Sequence, residues 1–442
     1  VDQSKTITLI MKYLQLSKNV AIAALSLVAT TSFAKENDPP AKKPADEIKN
    51  AGLTLPKGFS AESVVDSMGA VRHIVVDQSG ILYAKLERRR VASGWTGVRA
   101  LQLNGNAKAT ELAGFGDYTG TGILIKNNYL YTSSNSEVFR YKLVNGKVQN
   151  PNQPEVIVTG LIDKRQHASK SIAIDDADNL YVNIGAPSNV CQEKDRVKGS
   201  PGMMPCPILD SAGGIWKFSA SKQKQSYAEG KRYATGLRNV VGLDWNSKEN
   251  ALYVTVHGRD MLFQHFPEMF DQKLGAELPA ETMYKLKEGD HAGWPYAFWD
   301  QGQKKYILSP EYGGDGKKEP TQKFTPPVMD FPGHLAPNAL LFYTGNMFPE
   351  RYKNGAFIAF RGSWNRAPEP QSGYFIVFVP FEKGKPTGKW EIFAEGFKGK
   401  ELIINPNDAL YRPCGLAQGP DGSLYISEDN KGKIWRVTYS GQ

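Results

Sequence analysis

The chain has 442 residues, 40% hydrophobic and 22% charged, a balance that excludes a disordered chain and leaves ample material for a core. Its formal net charge of +9 suits a nucleic acid, a membrane surface or a small anionic ligand. The one dense basic run, Arg88 to Arg90, reads as a solvated face.

From Met11, MKYLQLSKNVAIAALSLVATTSFA carries Lys12 and Lys18, an apolar run from Val20 to Val28, and small residues Ser32 and Ala34. The run is shorter than the ~20 residues a helix needs to cross a bilayer, so it predicts an export signal cleaved after Ala34 and no membrane span. Val1 to Ile10 form an upstream extension to this signal, which together occupy 1–34, and KENDPPAKKPADEIKN opens a flexible lead-in over 35–54. Cleavage leaves a net charge of +7, because Lys5, Lys12 and Lys18 outnumber Asp2 in the lost segment. A periplasmic or secreted location argues against nucleic acid as a partner and permits disulfides. Cys191 and Cys206 flank the loop CQEKDRVKGSPGMMPC and are the expected pair, with Cys414 free, although three cysteines allow other pairings. Neither a Cys-x-x-Cys-His haem run nor a Cys/His pair at zinc spacing occurs.

One pattern then recurs: a hydrophobic strand, a turn on Asp with Gly or Asn, and a second strand containing Leu-Tyr. It is found in HIVVDQSGILYAK, SIAIDDADNLYVNIG, VGLDWNSKENALYVTV and GLAQGPDGSLYIS, each a β-hairpin by turn chemistry and alternation. GILIKNNYLYTSSNSEVFRYKL and GNMFPERYKNGAFIAFRGSW are weaker copies, and GGIWKFS, YFIVFVPF and GKIWRVTY supply third strands. Such units bury both faces only by stacking on one another, which predicts an all-β six-bladed β-propeller over 55–442. Seven or eight blades, or a pair of β-sandwiches, are the competing architectures. Insertions at Val190–Leu209, Phe263–Tyr284 and Gln301–Thr325 are expected to cap one face.

No Gly-rich phosphate cradle opens a helix and no G-x-S-x-G elbow occurs, so candidate chemistry lies at strand ends and in loops. His167, in DKRQHASKSIAI, precedes an inner strand, and its neutral imidazole could accept a hydroxyl proton. A structural histidine bonded to a backbone carbonyl is the plainer alternative. Ser169 and Lys170 beside it are either hydrogen-bonding partners or surface. Arg238 and Asn239, in GLRN, stand one blade further on and suit carboxylate or carbonyl oxygens, unless Arg238 serves an inter-blade ion pair. In HGRD, the backbone at Gly258 and Arg259 offers carbonyls to a hard cation such as calcium. EGDHAGWPYAFWD gathers His291, Trp294, Tyr296 and Trp299, a set expected in a core more often than against a sugar. RGSWNRAPEPQSGY places Arg361, Trp364, Asn365 and Arg366 in a loop suited to a polyanion.

HASKSIAI, TGLRNVVGLDW, LYVTVHGRD, HAGWPYAFWD, FRGSWNR and RPCGLAQGPDGSLYISEDNKGKIWRVTY follow one another in a family order. From about residue 55 to 440 the chain resembles the soluble sugar dehydrogenases that depend on pyrroloquinoline quinone (PQQ), above all their sorbosone dehydrogenase-like branch. The resemblance implies a six-bladed propeller that holds PQQ, a tricarboxylate, over its channel with calcium. His167 resembles the base that takes the substrate hydroxyl proton as hydride passes to the quinone. Arg238 and Asn239 resemble the quinone-contacting pair, Arg238 beside the oxygen that becomes negative. Gly258 and Arg259 resemble the carbonyl ligands of calcium, and Arg361, Arg366 and Arg412, with Lys170, are the further cofactor contacts. The substrate implied is a sugar, as an anomeric hydroxyl or an aldehyde hydrate, with electrons leaving to a separate quinone or cytochrome. Gln166 stands where glucose-oxidising members carry an acid, Val240 and Val241 where they carry Pro and Gln, and Val256 where Glu is common. These differences imply a different substrate. The alternative is a non-quinone propeller, a lactonase-type hydrolase or an extracellular ligand-binding protein.

Overall fold

The computed structural model describes residues 49–87 and 96–441. The expected export signal, most of the expected lead-in and Arg88 to Arg90 lie outside the described residues. Six antiparallel blades, each built on four strands, start from inner strands Val71–Val76, Ile123–Lys126, Ile172–Ile174, Val240–Asn246, Pro337–Phe342 and Pro413–Gln418. We number the blades 1 to 6 in that order. Each inner strand packs beside the next and the last beside the first, so the ring closes around a channel, as the repeat predicts.

The repeated sequence explains the repeated hairpin. Asp77 Oδ1 accepts from the backbone N–H of Ser79 at 2.9 Å and of Ile81 at 2.7 Å. Asp175 Oδ1 does the same for Ala177 at 2.9 Å and Asn179 at 2.7 Å. The carboxylate thus satisfies amides that the reversing chain takes out of the ladder. The tyrosine of the second strand ties its blade to the next. Tyr83 donates to the Gly146 carbonyl at 2.5 Å, and Tyr131 to the Ala220 carbonyl at 3.2 Å. Apolar side chains fill the seams between blades; Val71, Ile74 and Leu82 of blade 1, for example, pack with Ala417, Tyr425 and Ile434 of blade 6. Burial of each such aliphatic side chain contributes roughly 1.5–3 kcal/mol.

The outer strand of blade 6 comes from the other end of the chain. Phe59–Val65 pairs antiparallel with Ile434–Tyr439, Phe59 opposite Tyr439. Just before it, Leu53 is buried, Thr54 pairs with Glu395, and the Trp435 indole donates to the Ala51 carbonyl at 3.1 Å. The last residues of the lead-in therefore pack on the propeller.

A disulfide joins Cys191 and Cys206, with a Cα–Cα distance of 6.1 Å, and Cys414 is buried and free. This loop packs on the insertion after residue 301, where the Tyr312 hydroxyl donates to the Val190 and Cys191 carbonyls at 3.2 Å. The middle insertion is shorter than the sequence suggests: Glu281–Leu286 is the third strand of blade 4, and two short helices, Leu262–His265 and Gln272–Glu277, precede it. The aromatic set is structural, since the buried Trp294 indole donates to the Asn189 carbonyl at 2.9 Å and the Tyr296 hydroxyl accepts from Cys206 N–H at 2.9 Å. Among the described residues no helix is long and apolar enough to cross a membrane.

Candidate active site

The residues that lead into the inner strands converge at one mouth of the channel. Two adjoining cavities of about 510 and 190 Å³ open there and share His167, Asn239, His257, Ala336 and Trp364. At the other mouth, a cavity of about 340 Å³ is lined mainly by aliphatic residues. Polar chemistry therefore belongs to the first mouth.

His167 takes a left-handed backbone conformation, φ 52°, which is uncommon outside glycine and marks a position held by its surroundings. Its neighbour in the next strand end is Gly185, where an added Cβ would lie 2.5 Å from the His167 carbonyl oxygen and 2.6 Å from its Cβ. The glycine of LYVNIG is thus what admits the histidine. The Ala186 carbonyl sits 2.6 Å from His167 Nδ1 and can only accept, so Nδ1 carries the proton and Nε2 the lone pair of the neutral ring. Burial, then the nearby Arg238 guanidinium, pushes the imidazole down to about 3. It is neutral at ordinary pH.

Arg238 is 4% exposed and fully engaged. It donates to Asp260 Oδ2 at 2.7 Å, to the Gly258 carbonyl at 2.7 Å, to Asn189 Oδ1 at 3.1 Å and to the Asn189 carbonyl at 3.2 Å. Asp260 also accepts from Arg196 at 2.8 Å and from Asn365 at 3.1 Å. Burial alone would raise the Asp260 carboxyl, but Arg238, His334 and Arg196 hold it well below the usual carboxylate range. Burial lowers Arg238, yet a guanidinium paired at that distance keeps its charge. Glu281, facing the same cavity, is pushed by burial up to about 8 while accepting from Gly258 N–H at 3.1 Å. Gln166 completes the edge: it donates to Asp195 at 2.7 Å and accepts from Arg196 at 3.2 Å. An acid of the disulfide-closed loop, Asp195, thus stands against Gln166.

A second charged group lines the larger cavity. Arg72 and Arg361 each donate to Asp429 Oδ2 at 2.7 Å. Arg412 does not line either cavity; it braces the backbone by donating to the Arg361 and Gly362 carbonyls. Arg366 is turned away, bonded to Glu277 at 2.5 Å and to the carbonyls of Ala276, Gly333 and Pro370. Lys170 is fully buried behind the mouth, donates to the Ala168 carbonyl, and is pushed by burial down to about 8. The Arg259 side chain also turns away, into a two-pronged pair with Glu311 at 2.5 and 2.8 Å. Of the residues expected at the site, the structure brings together His167, Arg238, Asn239, Gly258 and Arg361. Sequence reasoning missed Arg72, Asp260, Asp429 and Arg196. The signal for Asp260 stood in HGRD, one residue past the arginine.

A planar tricarboxylate fits this mouth because arginines line it and its larger cavity lies within the ~300–1,000 Å³ typical of ligand pockets. Two buried acceptor atoms there lack hydrogen-bond partners among the described residues and suit a ligand N–H or O–H. They are Asn239 Oδ1 and His257 Nε2. For calcium the structure offers the Gly258 carbonyl, which Arg238 already engages. Among the described residues no group of three His, Cys, Asp or Glu side chains is placed to hold a metal. An ion there would rest on backbone carbonyls and on oxygens of the cofactor itself.

This ring, with arginines gathered over one end of its channel, has the fold of the PQQ-dependent sugar and aldose dehydrogenases. More particularly, the chain belongs to the TrAA12-like family, whose match spans residues 53–440. An uncharacterized protein of Borreliella burgdorferi is 28% identical over 409 residues, covering 89% of this chain and 93% of its own. The holo form of the pyranose dehydrogenase PQQ domain from Coprinopsis cinerea aligns at a TM-score of 0.67 and 19% identity, over 87% of this chain and 97% of that one. A calcium structure of the family AA12 enzyme of Trichoderma reesei gives 0.68 and 18%, over 88% and 97%. The PQQ-bound aldose sugar dehydrogenase of Streptomyces coelicolor gives 0.50 and 15%, over 88% and 100%. At these identities the structural likeness speaks for the fold.

Proposed function

We propose that this chain is an exported quinoprotein that oxidises a sugar, at an anomeric hydroxyl or an aldehyde hydrate of the sosone kind, with PQQ and calcium. The observation that carries the reading is the convergence of a neutral His167 with Arg238, Asn239, Arg72 and Arg361 on one channel mouth. Bound PQQ supplies the two-electron acceptor. His167 Nε2 accepts the proton of the substrate hydroxyl, and Arg238 stabilises negative charge that develops on oxygen nearby. Arg72 and Arg361 suit cofactor carboxylates, and Gly258, with Arg259, offers backbone carbonyls to calcium. Electrons then pass to a separate acceptor, a quinone or a cytochrome. A disulfide in the channel-mouth loop supports an oxidising, extracytoplasmic location.

Adding PQQ and calcium to purified protein should give dye reduction with some aldose, sosone or simple aldehyde. Protein that neither shifts the quinone absorbance nor reduces dye would overturn the reading. His167→Ala should keep PQQ affinity and lose about 10²–10⁴-fold in kcat. Unchanged turnover would place the base elsewhere.

A further inference from the structure

Five arginines line the channel-mouth cavities, and four are already paired. Arg72 and Arg361 share Asp429, and Arg238 and Arg196 share Asp260. Arg165 is the fifth. It lies two residues before His167, lines the larger cavity, is exposed, and has no ion pair or hydrogen bond among the described residues. A cation left without a partner at a cavity rim is a ready contact for a ligand carboxylate. Across the mouth, Trp364 lines both cavities and is 58% exposed, the only aromatic side chain among the described residues left so open. A bare indole face at a cavity entrance offers a flat apolar platform for the C–H face of a sugar ring.

We propose, resting on the sugar-oxidising reading above, that the substrate is a carboxylate-bearing aldose, a hexuronate, with its ring on Trp364 and its carboxylate on Arg165. Depth separates this arginine from those suited to the cofactor: Arg72 is 8% exposed and Arg361 partly buried, whereas Arg165 stands at the rim where substrate enters. Ser169 and Asn135 line the same cavity and supply polar groups for sugar hydroxyls.

The test compares D-glucuronate and D-galacturonate with D-glucose and D-galactose on PQQ-loaded protein, and measures D-glucuronate binding by calorimetry with and without PQQ. The uronates should lead in kcat/KM by about 10-fold or more, the size of one charge-assisted contact. Arg165→Gln should bring that ratio close to one and weaken glucuronate binding by a similar factor, and Trp364→Ala should raise KM for all four sugars. A wild-type ratio near one, or equal glucuronate binding by the Arg165 variant, overturns the inference and leaves sugar oxidation standing. So does a variant that binds PQQ more weakly with its sugar preference unchanged. Should no sugar be turned over, the sugar-oxidising reading fails instead, and Arg165-dependent glucuronate binding by calorimetry still decides this one.

Discussion

At the residue scale, Asp260 is the hub of the site. It holds Arg238 and Arg196 by charge and Asn365 by a hydrogen bond, all while buried. Asp260→Asn keeps the shape but leaves the buried Arg238 and the half-buried Arg196 short of a counter-charge, which costs on the order of 3 kcal/mol in stability. Because the variant mouth is more positive, PQQ should bind at least as tightly, while a misplaced Arg238 lowers kcat by about 10²-fold. Denaturant melts, quinone titration and steady-state rates separate these effects. A shifted melt with unchanged kcat would reduce Asp260 to a structural role. How far such residues could be read from sequence depends on what chain position conveys. His167, Arg238 and Asn239 were legible because they stand where the chain enters an inner strand, and those entries face the mouth. Lys170, Arg366 and Arg259 stand equally close along the chain but turn elsewhere, because side-chain direction is set by partners such as Glu277 and Glu311 that local sequence does not show. Asp429 and Arg72, brought together from opposite ends of the propeller sequence, carried no local signal at all.

At the scale of elements, the disulfide-closed loop is part of the site rather than a cover for it. It sends Asp195 onto Gln166 and Arg196 into the smaller cavity, and its Cys191 end anchors the adjoining Asn189, which bonds Arg238 and Asp260. Opening it by Cys206→Ser should lower stability by about 3 kcal/mol, the loop-entropy value for a loop of this length. It should also lower kcat, since Arg238 loses its brace. Denaturation and turnover with and without reductant test both, and a wild-type protein whose kcat ignores complete reduction would contradict the positioning role. The hairpins were legible because each is closed within a few residues by its own turn chemistry, an aspartate in blades 1 and 3 and Asn246 in blade 4, and by alternation. The middle insertion was overdrawn because Glu281–Leu286 follows two helices and has no turn signature of its own. The strand Phe59–Val65 was silent for the opposite reason, as its partner lies at the far end of the chain.

At the scale of the molecule, burial sets the direction of acid sensitivity. His73, 2.7 Å from the Asn338 carbonyl through Nε2, is pushed down to about 4, and His167 to about 3, burial being the main cause of both. In the unfolded chain both return to ~6.5 and take up protons first. Their contribution to stability is therefore complete above ~6.5 and is lost as pH falls through about 4 and 3. Glu281, held at about 8, works in the opposite sense over the same range, so the measurement is the difference between proteins: melting temperature should fall less, or rise more, from pH 7 to pH 5 in His73→Gln than in the wild type. An identical slope in the variant would remove His73 from the account.

The strand that completes blade 6 also sets an order of events. Its edge finds a partner only when Ile434–Tyr439 exists, so a growing chain carries an open ring until that strand has been made. Closure is then a single late step, in which a strand made ahead of all six inner strands is the last of the propeller to be laid down.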